Sequence, residues 1–85
     1  MKIKVLFFAS FKEYLGTGET EETLSPGADV ELLCESLSQN GAEWLELFGN
    51  PSGTVKVSIN QEMAELSDKL NDGDEVAFFP PVTGG

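Results

Sequence analysis

The chain contains no histidine and no arginine, and its 85 residues include a single cysteine, Cys34. Without histidine there is no imidazole to act as a base and no Cys-His set for zinc, and one cysteine closes no internal disulfide. No metal site is expected. Five lysines stand against fifteen acidic residues, a net charge of -10. Phosphate neutralisation needs Lys and Arg, so this balance argues against nucleic acid and favours a partner with a basic surface. No apolar run approaches the ~18 residues of a membrane span, and Met1–Phe8 has neither the length nor the small-residue cleavage site of a signal peptide. A cytoplasmic protein without membrane attachment is expected. No pair of carboxylates has a spacing that argues for general acid and base work, so any chemistry must be borrowed from partners or reside in carboxylates.

What is present is one small domain, 1–85, with little core to spare and no repeat, linker or low-complexity tract. Ile3, Val5 and Phe7 alternate with Lys2, Lys4, Leu6 and Phe8, which predicts a first strand with one plainly apolar face. Ser10 to Leu15 suits a short helical turn with Phe11, Tyr14 and Leu15 on one side, ended by Gly16 and Gly18. Glu19 to Leu24 reads as a polar edge strand. Asp29 is a good N-cap for a helix carrying Val30, Leu33, Cys34 and Leu37 at i, i+3, i+4 and i+7 and ending near Gly41. Ala42 to Phe48 reads as a second short helix with Trp44, Leu45 and Phe48 on one side. Thr54 to Ile59 alternates as a strand with Val55, Val57 and Ile59 inward. Asn60-Gln61 is the turn after it, Met63-Ala64 pairs briefly, and Asn71-Asp72-Gly73-Asp74 turns tightly into the last strand.

That strand runs through Val76 to Phe79 into Pro80 and Pro81, which cannot donate ladder hydrogen bonds and so stop it. Beyond it, Val82 to Gly85 reach about 14 Å when extended. Last residues are commonly disordered, but after a proline stop on a buried strand this ending reads as a probe, with 81–85 as a flexible tail. Gly84 and Gly85 have no Cβ, so they fit a channel too narrow for other residues and leave the terminal carbonyl open to a nucleophile.

The element order is that of an α+β, ubiquitin-like β-grasp, a mixed sheet wrapped around one main helix. Its first and last strands would lie parallel and adjacent in the middle of the sheet. Neighbouring strand residues point to opposite faces, so one member of Phe7-Phe8 and one of Phe78-Phe79 must leave the helix-covered core. With Ile3, Val5, Phe7, Val76 and Phe78 inward, Phe8, Phe79 and Met63 would form an apolar patch on the other face. Either a partner protein covers such a patch or a loop or helical turn of the chain folds over it.

Gly73-Asp74-Glu75-Val76-Ala77-Phe78-Phe79-Pro80-Pro81-Val82-Thr83-Gly84-Gly85, with Lys4-Val5-Leu6-Phe7-Phe8-Ala9 and Val57-Ser58-Ile59-Asn60-Gln61, resembles the MoaD/ThiS ubiquitin-like family, and within it the small sulfur-carrier subunits of molybdopterin synthase. The resemblance covers the whole chain, and its C-terminal block is the specific part. Glu19 to Pro51 match in pattern more than in residues. The resemblance implies a carrier that is not itself a catalyst and binds no cofactor. Its Gly85 carboxylate would be adenylated by an ATP-dependent, ubiquitin-activating-type enzyme and converted by a persulfide to a thiocarboxylate. Presented on the tail Pro81, Val82, Thr83, Gly84, it would then give sulfur to cyclic pyranopterin monophosphate in the active site of the large synthase subunit. Two large and two small subunits form the family's synthase. Phe8, Met63 and Phe79 match apolar interface positions of the family.

Two rival classes stay open: a ubiquitin-type protein modifier or a carrier for thiamine or tRNA thiolation, and a plain β-grasp interaction module whose tail is inert. Cys34 lies on an apolar helix stripe and reads as core filler rather than a persulfide carrier. Trp44 likewise reads as core.

Overall fold

Alternation of apolar residues with lysine makes Lys2–Phe7 a strand, β1, whose buried residues Ile3, Val5 and Phe7 are spaced by two. The computed structural model describes residues 1–81; Val82, Thr83, Gly84 and Gly85 lie outside the described residues. After β1 come α1 (Ser10–Leu15), β2 (Glu19–Thr23), α2 (Val30–Ser38), α3 (Ala42–Phe48), β3 (Lys56–Ile59), β4 (Glu62–Ala64) and β5 (Glu75–Phe79). The five strands are ordered β2-β1-β5-β3-β4. β1 and β5 are parallel and Val5 stands opposite Val76, while every other pairing is antiparallel. Polar β2 is an edge strand, as its threonines and glutamates predict.

The Asp29 carboxylate accepts the Leu32 N–H at 2.9 Å and caps α2, an arrangement worth about 1 kcal/mol. Val30, Leu33, Cys34 and Leu37 then face the sheet and are fully buried. The helix ends at Ser38, whose hydroxyl donates back to the Glu35 carbonyl at 2.6 Å. Above α2 and the sheet sits an aromatic group in which the Phe48 ring meets Phe78 at 5.0 Å, Phe7 at 5.9 Å, Trp44 at 6.2 Å and Phe11 at 6.4 Å between centroids.

Two short helices correct the expected stripes. In α1 Phe11 and Leu15 turn inward, whereas Tyr14 is 47% exposed and its hydroxyl donates to the Glu46 carboxylate on α3. That bond is the main cause raising the Tyr14 pKa above its usual value. In α3 Trp44 and Phe48, four apart, take the core, and Leu45, one step round the helix, is 59% exposed.

The turn into β5 fixes its position. Asp74 is buried and accepts the Asn71 N–H at 2.8 Å and the Asn60 side-chain amide at 3.0 Å, while the Asn60 carbonyl oxygen accepts Glu75 N–H at 3.0 Å. Gly73 N–H donates to Lys2 O at 2.9 Å and Lys4 N–H to Asp74 O at 3.0 Å. Two turns are thus tied to one carboxylate, and the start of β1 to the backbone beside it.

Ala9 has φ 54° and ψ -133°, and Phe11 N–H closes the turn onto Phe8 O at 3.2 Å. This is the first central position of a type II′ turn, which favours glycine because an L-residue is strained there. Ala9→Gly is expected to raise stability by about 1 kcal/mol, the relieved strain exceeding the entropy lost to a freer unfolded chain. A thermal melt should show a Tm higher by about 4–8 °C; an unchanged or lower Tm contradicts the strain.

Candidate functional site

The sheet has one face covered by helices and one without a covering element among the described residues. Register assembles the open face: Leu6 stands opposite Ala77, Ala77 opposite Ser58, and Ser58 opposite Met63. The next row towards the C-terminal end of β5 pairs Phe79 with Lys56. Phe8 continues the alternation of β1 one residue past its end, held by Phe8 N–H to Phe78 O at 3.1 Å. Phe8, Phe79 and Met63 therefore share this face. Phe8 is 49% and Met63 67% exposed, whereas Phe79 is half-buried. Ala77 and Ser58, small residues between these larger ones, form a floor and are each only 9% exposed. Neither α1 nor a described loop shields Phe8 or Met63. Pro80 and Pro81 follow at the edge of the face, half-buried, so the tail is rooted beside the patch.

Charge on this face is mixed. Lys4 lies 4.0 Å from Glu19 and 4.0 Å from Glu75, a loose surface arrangement that contributes little stability. Among the described residues no three His, Cys, Asp or Glu side chains are grouped to hold a metal ion, and no helix is long and apolar enough to cross a membrane.

Cys34 belongs to the core rather than to this face. Burial, with help from Glu31 and Asp29, pushes its thiol up to about 12, and the thiolate, not the thiol, is the nucleophile. Alkylating reagents at neutral pH are expected to leave the folded protein unlabelled and to label it fully in denaturant. Rapid labelling of the native chain, read by intact mass, would place Cys34 outside the core.

Sequence reasoning found Phe8, Met63 and Phe79 through strand parity. It passed over Lys56 and Ser58, whose only signal was their alternation with Val55, Val57 and Ile59.

Helices on one face of a mixed sheet with parallel central strands define a ubiquitin-like β-grasp protein. SAMP1 from Haloferax volcanii has this fold, with a TM-score of 0.81 at 28% identity and full coverage of both chains. The ThiS family model matches residues 5–85, and the chain belongs to that family. It is similar to the molybdopterin synthase sulfur carrier subunit of Escherichia coli (strain K12), 41% identical over 83 residues that cover 98% of this chain and 99% of the relative. It is also similar to a chain in the complex of subunits 1 and 2 of molybdopterin-converting factor from Helicobacter pylori 26695, with a TM-score of 0.68, 26% identity and full coverage of both chains.

Proposed function

We propose that this protein is the sulfur carrier subunit of a molybdopterin synthase, a non-catalytic subunit working in the cytoplasm. The observation that carries this reading is the 41% identity to the Escherichia coli carrier subunit along essentially the full length of both chains. The family match that runs to Gly85 supports it.

A carboxylate is a poor electrophile until it is given a leaving group. A ubiquitin-activating-type enzyme supplies one by joining the Gly85 carboxylate to AMP from ATP, with release of pyrophosphate. The terminal sulfur of a persulfide then attacks the Gly85 carbonyl carbon and expels AMP, and a second thiol cleaves the resulting S–S bond, leaving a thiocarboxylate on Gly85 and a disulfide between the two thiols. The thiocarboxylate gives its sulfur to cyclic pyranopterin monophosphate within the large synthase subunit, and water restores the carboxylate. The carrier binds no cofactor of its own, and ATP is consumed by the activating partner.

In this scheme the folded body is a handle. The patch of Phe8, Met63 and Phe79 meets the partner, each side chain contributing about 1.5–3 kcal/mol when buried. Pro80 and Pro81 fix the direction in which the chain leaves the sheet. Val82, Thr83, Gly84 and Gly85 reach the partner's active site, where the missing Cβ atoms allow close approach.

The test is intact mass after incubation with the cognate adenylating enzyme, ATP and a sulfur donor. A gain equal to replacement of one oxygen by one sulfur is expected. An unchanged mass, with an enzyme shown to be active on another carrier, overturns the reading. Isopeptide-linked adducts of the chain in place of that gain would assign it to the protein modifiers.

A further inference from the structure

Within the patch on the open face stand two hydrogen-bond donors without partners among the described residues. Lys56 and Ser58 are two apart on β3, so both point out of this face, beside Phe79 and Ala77 respectively. Neither the Lys56 ammonium nor the Ser58 hydroxyl has a hydrogen-bond or ion-pair partner among the described residues. Lys4, by contrast, lies between Glu19 and Glu75. Lys2, Lys12 and Lys69 are likewise outside ion-pair distance among the described residues, and Lys56 differs from them in standing opposite Phe79 in the patch. Glu65 lines a groove with Lys56 at the β4 edge, yet it too stays outside ion-pair distance. Ser58 lies in the floor of the patch at 9% exposure, so a protein seated on Phe8, Met63 and Phe79 would strip it of its remaining water. A hydroxyl sealed in an interface without an acceptor is costly, and an ammonium more so.

We infer that Lys56 and Ser58 together receive a carboxylate from the surface of the large synthase subunit, and that this contact makes the carrier selective for its own partner. The inference rests on the proposed docking face and adds to it a polar anchor of defined chemistry. A carboxylate has two acceptor oxygens, so one can take the Ser58 O–H while the other meets the flexible Lys56 side chain. The same contact disfavours a large subunit that presents a lysine or a bare apolar group there, because the donors would then be buried unpaired.

The experiment is titration of the full-length carrier with the purified large subunit from the same organism, at low and moderate salt. Lys56→Glu is expected to weaken binding by at least about tenfold, since it sets a carboxylate against a carboxylate. Ser58→Ala is expected to weaken it about fivefold, and Lys56→Met with Ser58→Ala to cost less than the product of the two single losses, because both donors share one acceptor. None of these variants should lower the Tm, as neither side chain has an intramolecular partner to lose. Binding of Lys56→Glu and Ser58→Ala at the unaltered affinity overturns the inference. Met63→Asp then distinguishes the two levels: if it still weakens binding the docking face stands without the anchor, and if it does not, the docking face falls as well.

Discussion

Under the proposed function, removal of Gly85, or addition of one residue after it, is expected to abolish sulfur loading and transfer while leaving the fold intact. The expected loss is large because, in the proposed chemistry, the reacting group is the terminal carbon itself. One extra residue moves that carbon by ~3.5 Å, and a misplacement of 1 Å already costs about 10²-fold in rate. Deletion of Gly85 moves it by the same amount in the other direction and puts the reactive carbonyl on Gly84. The assay is single-turnover loading followed by intact mass, with the two altered chains beside the unaltered one. Neither change touches a core residue among the described residues, where the last is Phe78, so all three chains should share one Tm. Loading of the extended chain at the unaltered rate would mean that the activating enzyme does not measure tail length, and would remove Gly85 from the role assigned to it.

Phe48→Ala is expected to cost about 3–5 kcal/mol, a large part of the 5–15 kcal/mol that holds a small domain together. Phe48 is 1% exposed and lies against the rings of Phe7, Phe11, Trp44 and Phe78. Truncation would leave a cavity bordered by four rigid rings that cannot all close on it. Phe7 and Phe78 sit on the paired central strands, so the damage extends to the sheet that roots the tail. Urea unfolding should show a midpoint far below that of the unaltered protein. Leu45→Ala, three residues away and 59% exposed, should change stability by no more than about 0.5 kcal/mol. Similar midpoints for the two variants would contradict the packing described here.

The order of elements was legible because each rests on a local signal. Asp29 precedes an i, i+3, i+4, i+7 stripe, β1 and β3 alternate with period two, and β5 is an apolar run stopped by two prolines. The patch was legible for the same reason, since adjacent phenylalanines on a strand must part company. Less legible were features decided by partners distant in the chain. In helices of six and seven residues, 100° per residue leaves the inward stripe ambiguous by one position, and the neighbouring element decides whether Tyr14 or Leu45 is covered. The Asp74 hub depends on Asn60, brought to it by the pairing of β3 with β5. The strained turn at Ala9 follows from the need to reverse the chain between Phe8 and Phe11, with no glycine to mark it. The tail was legible as a proline stop followed by two residues without Cβ atoms, the family resemblance implied the role of Gly85, and Gly84 and Gly85 lie outside the described residues.

The adjacency of β1 and β5 has a consequence for how the protein is made. β1 finds its parallel neighbour only when β5, far later in the chain, has been synthesised, and β3 waits for the same strand on its other side. A chain that stops short of β5 lacks the middle of its sheet and the floor residue Ala77. Long-range closure of this kind is slow compared with local helix formation. An incomplete product therefore cannot display the open face, and under the proposed function an activating enzyme would meet a finished surface only on molecules whose synthesis has reached the residues it is to modify.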